Sequence, residues 1–203
     1  MSHTTGNDHR NELDANFWNL RWQTGRTGWD VGYASPPITG YMAQYADKHA
    51  AILIPGCGNA YEAQHLVAQG FTNITLLDIA LEAVARLQEK FKAAPQVKVL
   101  LGDFFQHQGR YDLILEQTFF CALVLERRAD YVRKMSELLK ENGRLAGVLF
   151  GVDLGPDGPP FGGSKEEYEA LFSPYFHIKT MAPCYNSIPP RAGSELFIEL
   201  VKK

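Results

Sequence analysis

Two aspartates and three tryptophans are spaced so that they could serve one ligand. Asp78 closes the apolar run Ile-Thr-Leu-Leu-Asp, twenty residues beyond Gly58, and Asp103 follows a second such run in Leu-Gly-Asp-Phe-Phe. At the end of the second strand of a doubly wound sheet, a carboxylate accepts hydrogen bonds from ribose hydroxyls. Asp103, with the ring of Phe104 beside it, could accept from the amino group of an adenine. Trp18, Trp22 and Trp29 are all the tryptophan of the chain and fall within twelve residues. The first two, four apart, share a helix face, and indole faces attract cations. Such a set suits a nucleoside that carries positive charge. The plainer use of each aspartate is to cap the turn or helix that follows it, and of the indoles to dock a helix on the core.

Those residues need a cradle, and Ala51–Glu62 supplies one. It reads Ala-Ile-Leu-Ile-Pro-Gly-Cys-Gly-Asn-Ala-Tyr-Glu: a short buried strand to Pro55, a tight turn, and a helix beginning near Ala60. Gly56 and Gly58 let the backbone turn sharply and approach a ligand, and the free N–H groups of the helix face whatever binds there. NAD wants a third glycine three residues on, where Tyr61 stands, and the Gly-x-x-x-x-Gly-Lys-Ser/Thr loop of ATP and GTP sites is absent. A nucleoside without pyrophosphate fits better, and S-adenosyl-L-methionine is the leading candidate.

Alternating strand and helix patterns must position these groups. Residues 1–10 read as a disordered lead-in. Residues 12–48 form a helical cover, with a helix over Glu12–Gln23, a break at Gly25 and Gly28, and a short helix over Ile38–Asp47. Strands are expected at Ile74–Asp78, Val97–Leu101, Tyr111–Glu116 and Arg144–Phe150, with helical stripes after the first glycine turn, over Ala80–Phe91, and over Tyr131–Leu138 up to a stop at Asn142-Gly143. Strands separated by single helices imply parallel pairing with right-handed crossovers. Gly151–Gly163 holds five glycines and three prolines and reads as a loop, and Ser164 with Glu167 makes a capping box for the next helix. Tyr175–Met181 and Glu195–Val201 read as a closing antiparallel pair. No repeat or second domain is evident, so residues 1–203 are expected to form a single domain.

Composition narrows the class. The chain has 203 residues, 45% hydrophobic and 21% charged, with a formal net charge of −3. That balance, without any Lys/Arg run, excludes a broad nucleic-acid surface. The polar first sixteen residues lack a signal core, and no apolar run approaches the roughly 18 residues of a membrane span. A cytoplasmic monomer acting on a small molecule is expected. Cys57, Cys121 and Cys184 lack Cys-x-x-Cys spacing, and His107 near Asp103 is isolated, so neither disulfides nor a metal site is indicated.

The order Phe17-Trp18-Asn-Leu-Arg-Trp22-Gln-Thr-Gly25-Arg-Thr27-Gly-Trp29, then Ile-Pro55-Gly-Cys-Gly-Asn-Ala-Tyr-Glu62, Leu-Asp78-Ile, Gly102-Asp103-Phe104-Phe105, Phe119-Phe120-Cys121-Ala122-Leu123 and Gly158-Pro-Pro-Phe161, resembles the thiopurine S-methyltransferase family. The nearest likeness is to its plant and microbial thiol and halide methyltransferases, and it runs from about Trp18 to Lys203. The resemblance implies a class I methyltransferase fold, Rossmann-like α/β, with helices on both faces of a seven-stranded, mostly parallel sheet whose last strand is antiparallel. It also implies roles. Trp18, Trp22 and Trp29 would enclose the methionine end and methyl sulfonium of the cofactor, Gly56 would contact it through its backbone, Asp78 would hold the ribose, and Asp103 with Phe104 would flank the adenine. Gln117 matches a further cofactor-contact position, where animal thiopurine enzymes carry arginine and plant relatives tyrosine.

Methyl transfer from a sulfonium is an in-line displacement, so the protein must mainly align two atoms and exclude water. A soft anion such as bisulfide, thiocyanate, iodide or a thiolate needs no dedicated base, and none is assigned. Phe119 joins the aromatic surround, while Asp30, Tyr33, Tyr185 and Arg191 lie in loops expected to close over the strand ends. Two alternatives stand beside this one: a different oxygen or nitrogen acceptor, and a non-catalytic nucleoside-binding module. Glu116-Gln-Thr-Phe in place of an Asn-Pro-Pro-Tyr-type motif argues against DNA or glutamine N-methylation.

Overall fold

The computed structural model describes residues 13–203. The lead-in expected over residues 1–10 lies outside them. Seven strands, β1 (Ile52–Pro55), β2 (Ile74–Asp78), β3 (Val97–Leu101), β4 (Tyr111–Gln117), β5 (Leu139–Phe150), β6 (Phe176–Pro183) and β7 (Glu195–Lys202), form one sheet in the order β3-β2-β1-β4-β5-β7-β6. β1 to β5 are mutually parallel, and β7 runs antiparallel to β5 on one side and β6 on the other. The expected topology is therefore the observed one. The order reverses beside β1, which lies between β2 and β4, and open α/β sheets bind ligands at the carboxyl ends of strands at such a switch point.

Side-chain alternation shows why the sheet is covered on both faces. Leu53, Leu77, Ile114 and Leu145 point into one cluster with Tyr131, Met135, Tyr168 and Phe172. Ile52, Ile54, Leu76, Leu113 and Leu115 point into the other, with Ile38, Met42, Leu66 and Leu87. The first cluster is closed by α5 (Arg128–Leu138) and α6 (Lys165–Phe172), the second by α2 (Pro36–Ala43), α3 (Tyr61–Ala68) and α4 (Leu81–Lys90). Ser164 caps α6 as expected, its hydroxyl accepting from the Glu167 N–H at 3.1 Å.

Among the boundaries that differ from the sequence expectation, three matter here. α1 runs Ala15–Gln23, because the Asp14 carboxylate accepts from the Phe17 N–H at 2.9 Å and so sets the helix start. α2 stops at Ala43, ahead of the expected Asp47, whose carboxylate instead makes a local turn by accepting from the His49 N–H at 2.9 Å. The Asn142-Gly143 pair does not stop a helix. α5 has already ended at Leu138, and the pair sits inside β5, where Leu139 faces Tyr111 and Arg144 faces Leu113. The strand makes its excursion there, with Asn142 at φ +61°. Turn chemistry was correctly present; it bends a strand.

At Gly147 a side chain has no room. It pairs with Glu116, and a Cβ built there would lie 2.0 Å from the Glu116 carbonyl oxygen, a backbone atom fixed by the sheet. Gly147→Ala is expected to destabilise the protein toward the upper end of the about 1–3 kcal/mol typical of overpacking. A urea midpoint equal to wild type would show that β4 and β5 separate freely.

Candidate active site

The carboxyl ends of β1, β2 and β4 open into a cavity of about 700 Å³. The turn after β1 forms its floor. Gly56 and Gly58 adopt φ of +56° and +53°, and Ala60, the residue before α3, follows at +48°. The left-handed region is costly for residues with a Cβ, which is why glycine stands where the turn is tightest. The Gly56 N–H donates back to the Leu77 carbonyl at 2.8 Å, joining the turn to the end of β2. Asp78 completes the joint, its two carboxylate oxygens accepting from the Ala80 N–H at 2.9 Å and the Gly58 N–H at 3.1 Å. Burial pushes its pKa up, and those amides, with that of Ile79, pull it back down. Asp78 thus acts as the cap the sequence allowed, and it also lines the cavity. Asp103 does likewise one strand over, accepting from the Phe105 N–H at 2.9 Å at the lip of the same space, with Phe104 beside it.

The indoles form the opposite wall. Trp18 and Trp29 meet edge to face at 5.5 Å between centroids, as do Trp22 and Trp29 at 5.9 Å, and all three line the cavity. Trp22 is buried on Ala80 and Ala83, so it anchors the group. The cover is also fixed by polar contacts. Asn19 on α1 accepts from the Glu82 N–H at 2.9 Å, supplying the first turn of α4 with an acceptor that its own Ala80 lacks, and Glu62 on α3 accepts from the Ser35 N–H at 2.9 Å. Trp22 docks α1 on the core, as foreseen, and it lines the cavity together with Trp18 and with Trp29 from the loop after the helix.

A second, smaller cavity of about 50 Å³ adjoins the first and shares Trp29, Gly56, Gly58 and Thr118 with it. Gln117 lines this one, and its side-chain oxygen is buried with no hydrogen-bond partner. Asp30 and Tyr33 also line it, Asp30 accepting from the Asn59 amide at 2.6 Å. Of the remaining residues singled out from the sequence, Phe119 and Arg191 line the large cavity. Arg191 donates to the Trp29 carbonyl at 3.3 Å and pairs with buried Glu195 at 3.5 Å, so it ties the β6–β7 connection to the tryptophan loop. Tyr185 belongs to neither cavity. It is 94% exposed, because the Cys184 N–H bonds back to the Glu195 carbonyl at 2.9 Å and the chain beyond turns outward.

Sequence reasoning left several lining residues without a role. Phe150 at the end of β5, Pro159 and Pro160 in the glycine-rich loop, Arg21, Arg127 and Cys121 all face the large cavity. The Gly158-Pro-Pro-Phe161 motif was visible as a resemblance, but nothing local shows that its Phe161 meets Cys121; the Phe161 N–H bonds to the Cys121 carbonyl at 2.8 Å across forty residues of chain. Burial raises the Cys121 thiol to about 12, with Glu116 adding to the effect, so it stays protonated at neutral pH. All three cysteines are free. Among the described residues no group of three or more His, Cys, Asp or Glu is placed to hold a metal, and no helix is long and apolar enough to cross a membrane.

The family model described as thiopurine S-methyltransferase matches residues 13–195. "Probable thiol methyltransferase 2" of Arabidopsis thaliana is 32% identical over 190 residues, covering 91% of this chain and 84% of that protein. Thiocyanate methyltransferase 1 of Brassica oleracea is 28% identical over 184 residues, covering 88% and 81%. The fold is that of Burkholderia thailandensis 1,6-didemethyltoxoflavin-N1-methyltransferase, crystallised with S-adenosylhomocysteine, at a TM-score of 0.76 and 18% identity over 95% of this chain and 88% of that one. A class I methyltransferase sheet, a glycine turn with a carboxylate at its side, and a match that spans nearly the whole chain lead to one conclusion: this chain belongs to the thiopurine S-methyltransferase family.

Proposed function

We propose that the protein is an S-adenosyl-L-methionine-dependent methyltransferase that delivers its methyl group to a small thiol or another soft anion such as bisulfide, thiocyanate, a halide or an aryl thiolate. The observation that carries this is a single cavity onto which Asp78, Asp103, three indoles and the Arg191 guanidinium all open. The residues present fit the cofactor. The turn is too tight at Gly56 for a side chain, two carboxylates lie at the ends of adjacent strands, and the buried oxygen of Gln117 lacks a donor. Asp78 would hold the ribose hydroxyls, Asp103 and Phe104 would flank the adenine, Gly56 would make a backbone contact, and Gln117 would accept from the amino-acid end in the smaller cavity. Trp18, Trp22 and Trp29 would surround the sulfonium, which their ring faces attract.

Bound there, the cofactor supplies an electrophilic methyl group on sulfur. The protein's part is to keep water out and to bring an anion in line with it. Phe119 and Phe150 give the acceptor side an apolar lining in which a soft anion sheds its hydration, and Arg191, close to the Phe150 ring at 5.7 Å, offers the compensating charge. Cys121 lines the same space as a protonated thiol, so the protein's own sulfur does not compete for the methyl group. Tyr33 stands by the smaller cavity, on the cofactor's side. Three free cysteines support a reducing compartment, the cytoplasm.

The test is a panel of bisulfide, thiocyanate, iodide, aryl thiols, thiopurines, hydroxyl and amine acceptors assayed with labelled cofactor. Turnover is expected with the soft anions. Transfer confined to hydroxyls or amines would overturn the acceptor class, and calorimetry showing NAD bound in preference to S-adenosylhomocysteine would overturn the cofactor as well.

A further inference from the structure

β4 carries two acids, Asp112 near its start and Glu116 near its end. Glu116 is fully buried, between Leu115 and the turn that leaves the strand. One carboxylate oxygen accepts from the Phe119 N–H at 2.8 Å and the Phe120 N–H at 2.9 Å, and the other accepts from the hydroxyl of Tyr131 on α5. None of the three donors is a cation. Space for this arrangement is made by the strand beside it, since a Cβ at Gly147 would come within 2.8 Å of the Glu116 Cβ. An unpaired buried carboxylate is expensive, so a fold keeps one only where its hydrogen bonds are complete. Here two of the three fall on one object, the backbone of Phe119 and Phe120.

Phe119 is the residue that joins the two halves of the site. A Cβ at Gly56 would lie 2.4 Å from its ring, and the ring meets Phe104 edge to face at 5.1 Å. It therefore touches the cofactor turn and the residue beside Asp103 while lining the space left for the acceptor. We propose that Glu116 is a positioning residue for methyl transfer: its carboxylate clamps the Phe119–Phe120 backbone and so holds the Phe119 ring between the glycine turn and the acceptor space. Tyr131, which also packs against the Phe119 and Phe120 rings, sets the other end of the clamp.

The clamp has two charge states. Burial pushes the Glu116 carboxyl up to about 7, against the lowering effect of the Tyr131 hydroxyl and the two amides. The titratable groups facing it are Tyr131 from α5 and Cys121 from the turn itself, both held protonated by burial. β5 presents Gly147 and β1 presents Ile52–Pro55, none of which titrates. Ionised, Glu116 grips the two amides with charge-assisted bonds; protonated, it grips them as a neutral carbonyl, with its proton directed to Tyr131. Activity toward an acceptor that is anionic at every pH should then rise as Glu116 ionises. Folding stability runs the other way. The folded state holds this proton more tightly than the unfolded one, so the group's contribution is complete below about 4.5 and is lost as pH rises through about 7.

Glu116→Gln tests this, since the amide keeps the shape and fixes the neutral form at all pH values. With thiocyanate or iodide as acceptor, wild-type kcat/KM should show a limb near pH 7. The variant should lack that limb and be lower by about 10- to 100-fold above it, the scale set by a displaced wall. Tyr131→Phe, which removes a bond that favours the ionised form, should move the limb to higher pH, and it carries the test if Glu116→Gln does not fold. Amide exchange at Phe119 and Phe120, read by NMR without substrate, should be faster in Glu116→Gln, and the melting temperature of that variant should gain on wild type as pH rises toward neutrality. A limb unmoved in the variants, or equal exchange at both amides, would overturn the proposal. The kinetic arm rests on the proposed methyl transfer, and the exchange arm does not: a wrong acceptor class would abolish turnover in every variant alike and leave the exchange result to decide.

Discussion

Gly56→Ala is expected to lower kcat/KM for methyl transfer by at least about 100-fold, close to 3 kcal/mol of lost transition-state stabilisation. Two costs combine. The residue sits at φ +56°, which an alanine occupies at about 1–2 kcal/mol. Its new methyl group would then lie 2.4 Å from Phe119 Cδ2 and 2.9 Å from Cγ. Those are atoms at the base of the ring, and the Phe119 backbone beneath them is held by Glu116, so the ring cannot swing aside as a flexible chain end would. Either the turn opens, losing the bond from the Gly56 N–H to Leu77, or Phe119 leaves the cavity wall. Steady-state kinetics and calorimetry with S-adenosylhomocysteine distinguish these, because an opened turn weakens the cofactor and a displaced ring mainly affects the acceptor. If the turn opens, the double variant Gly56→Ala, Phe119→Ala should recover part of the lost affinity for S-adenosylhomocysteine, since the clash is gone, while turnover stays low for want of the ring. Activity within twofold of wild type in the single variant would show that the turn is not part of the working site.

Why Gly56 was conspicuous in the sequence and Glu116 was not is a matter of how far each signal reaches along the chain. The glycine turn, the capping carboxylates and the apolar runs of β2 and β3 are local, and their boundaries were readable to the residue because chain geometry within a few positions determines them. Trp18 and Trp22 could be placed on one helix face but not over a cavity until Asn19 and Trp22 were seen to dock that helix on α4. Asn142-Gly143 misled because a left-handed turn signal has the same chemistry in a strand excursion as at a helix end. Tyr185 misled because a loop near the site says nothing about which way its side chain points. Glu116 read as the end of a strand and as a departure from an N-methylation motif, with no role of its own. Its meaning depends on Tyr131, Gly147 and two amides brought together by packing, and a carboxylate looks alike in sequence whether it faces solvent or holds a wall.

Asp78→Ala is the sharpest test of how the site divides its labour, because this carboxylate has an observed employment as a cap and a proposed one as a ligand group, and a single substitution removes both. As a cap it satisfies the N–H groups of Gly58 and Ala80, and its loss should destabilise the protein even without ligand by about 1 kcal/mol. As a ligand group it should give charge-assisted hydrogen bonds to the ribose hydroxyls, and S-adenosylhomocysteine should bind about 1–3 kcal/mol more weakly, roughly 5- to 150-fold. The two are separable with an analogue lacking the 2′- and 3′-hydroxyls. If the carboxylate contacts the ribose, the variant should lose much less affinity for the deoxygenated analogue than for the parent, since the interaction being removed is already missing. If it only caps the turn, both ligands should weaken by the same factor, because each then reports a looser cradle. Equal losses would return Asp78 to a purely architectural role, and the adenosyl moiety would have to be oriented by Asp103 and the indoles alone. Burial raises the Asp78 pKa, and its amide donors offset part of that rise. Two of those donors are the amides that the cap satisfies, so in the proposed reading the bonds that close the turn also favour the charged form that a ribose would meet.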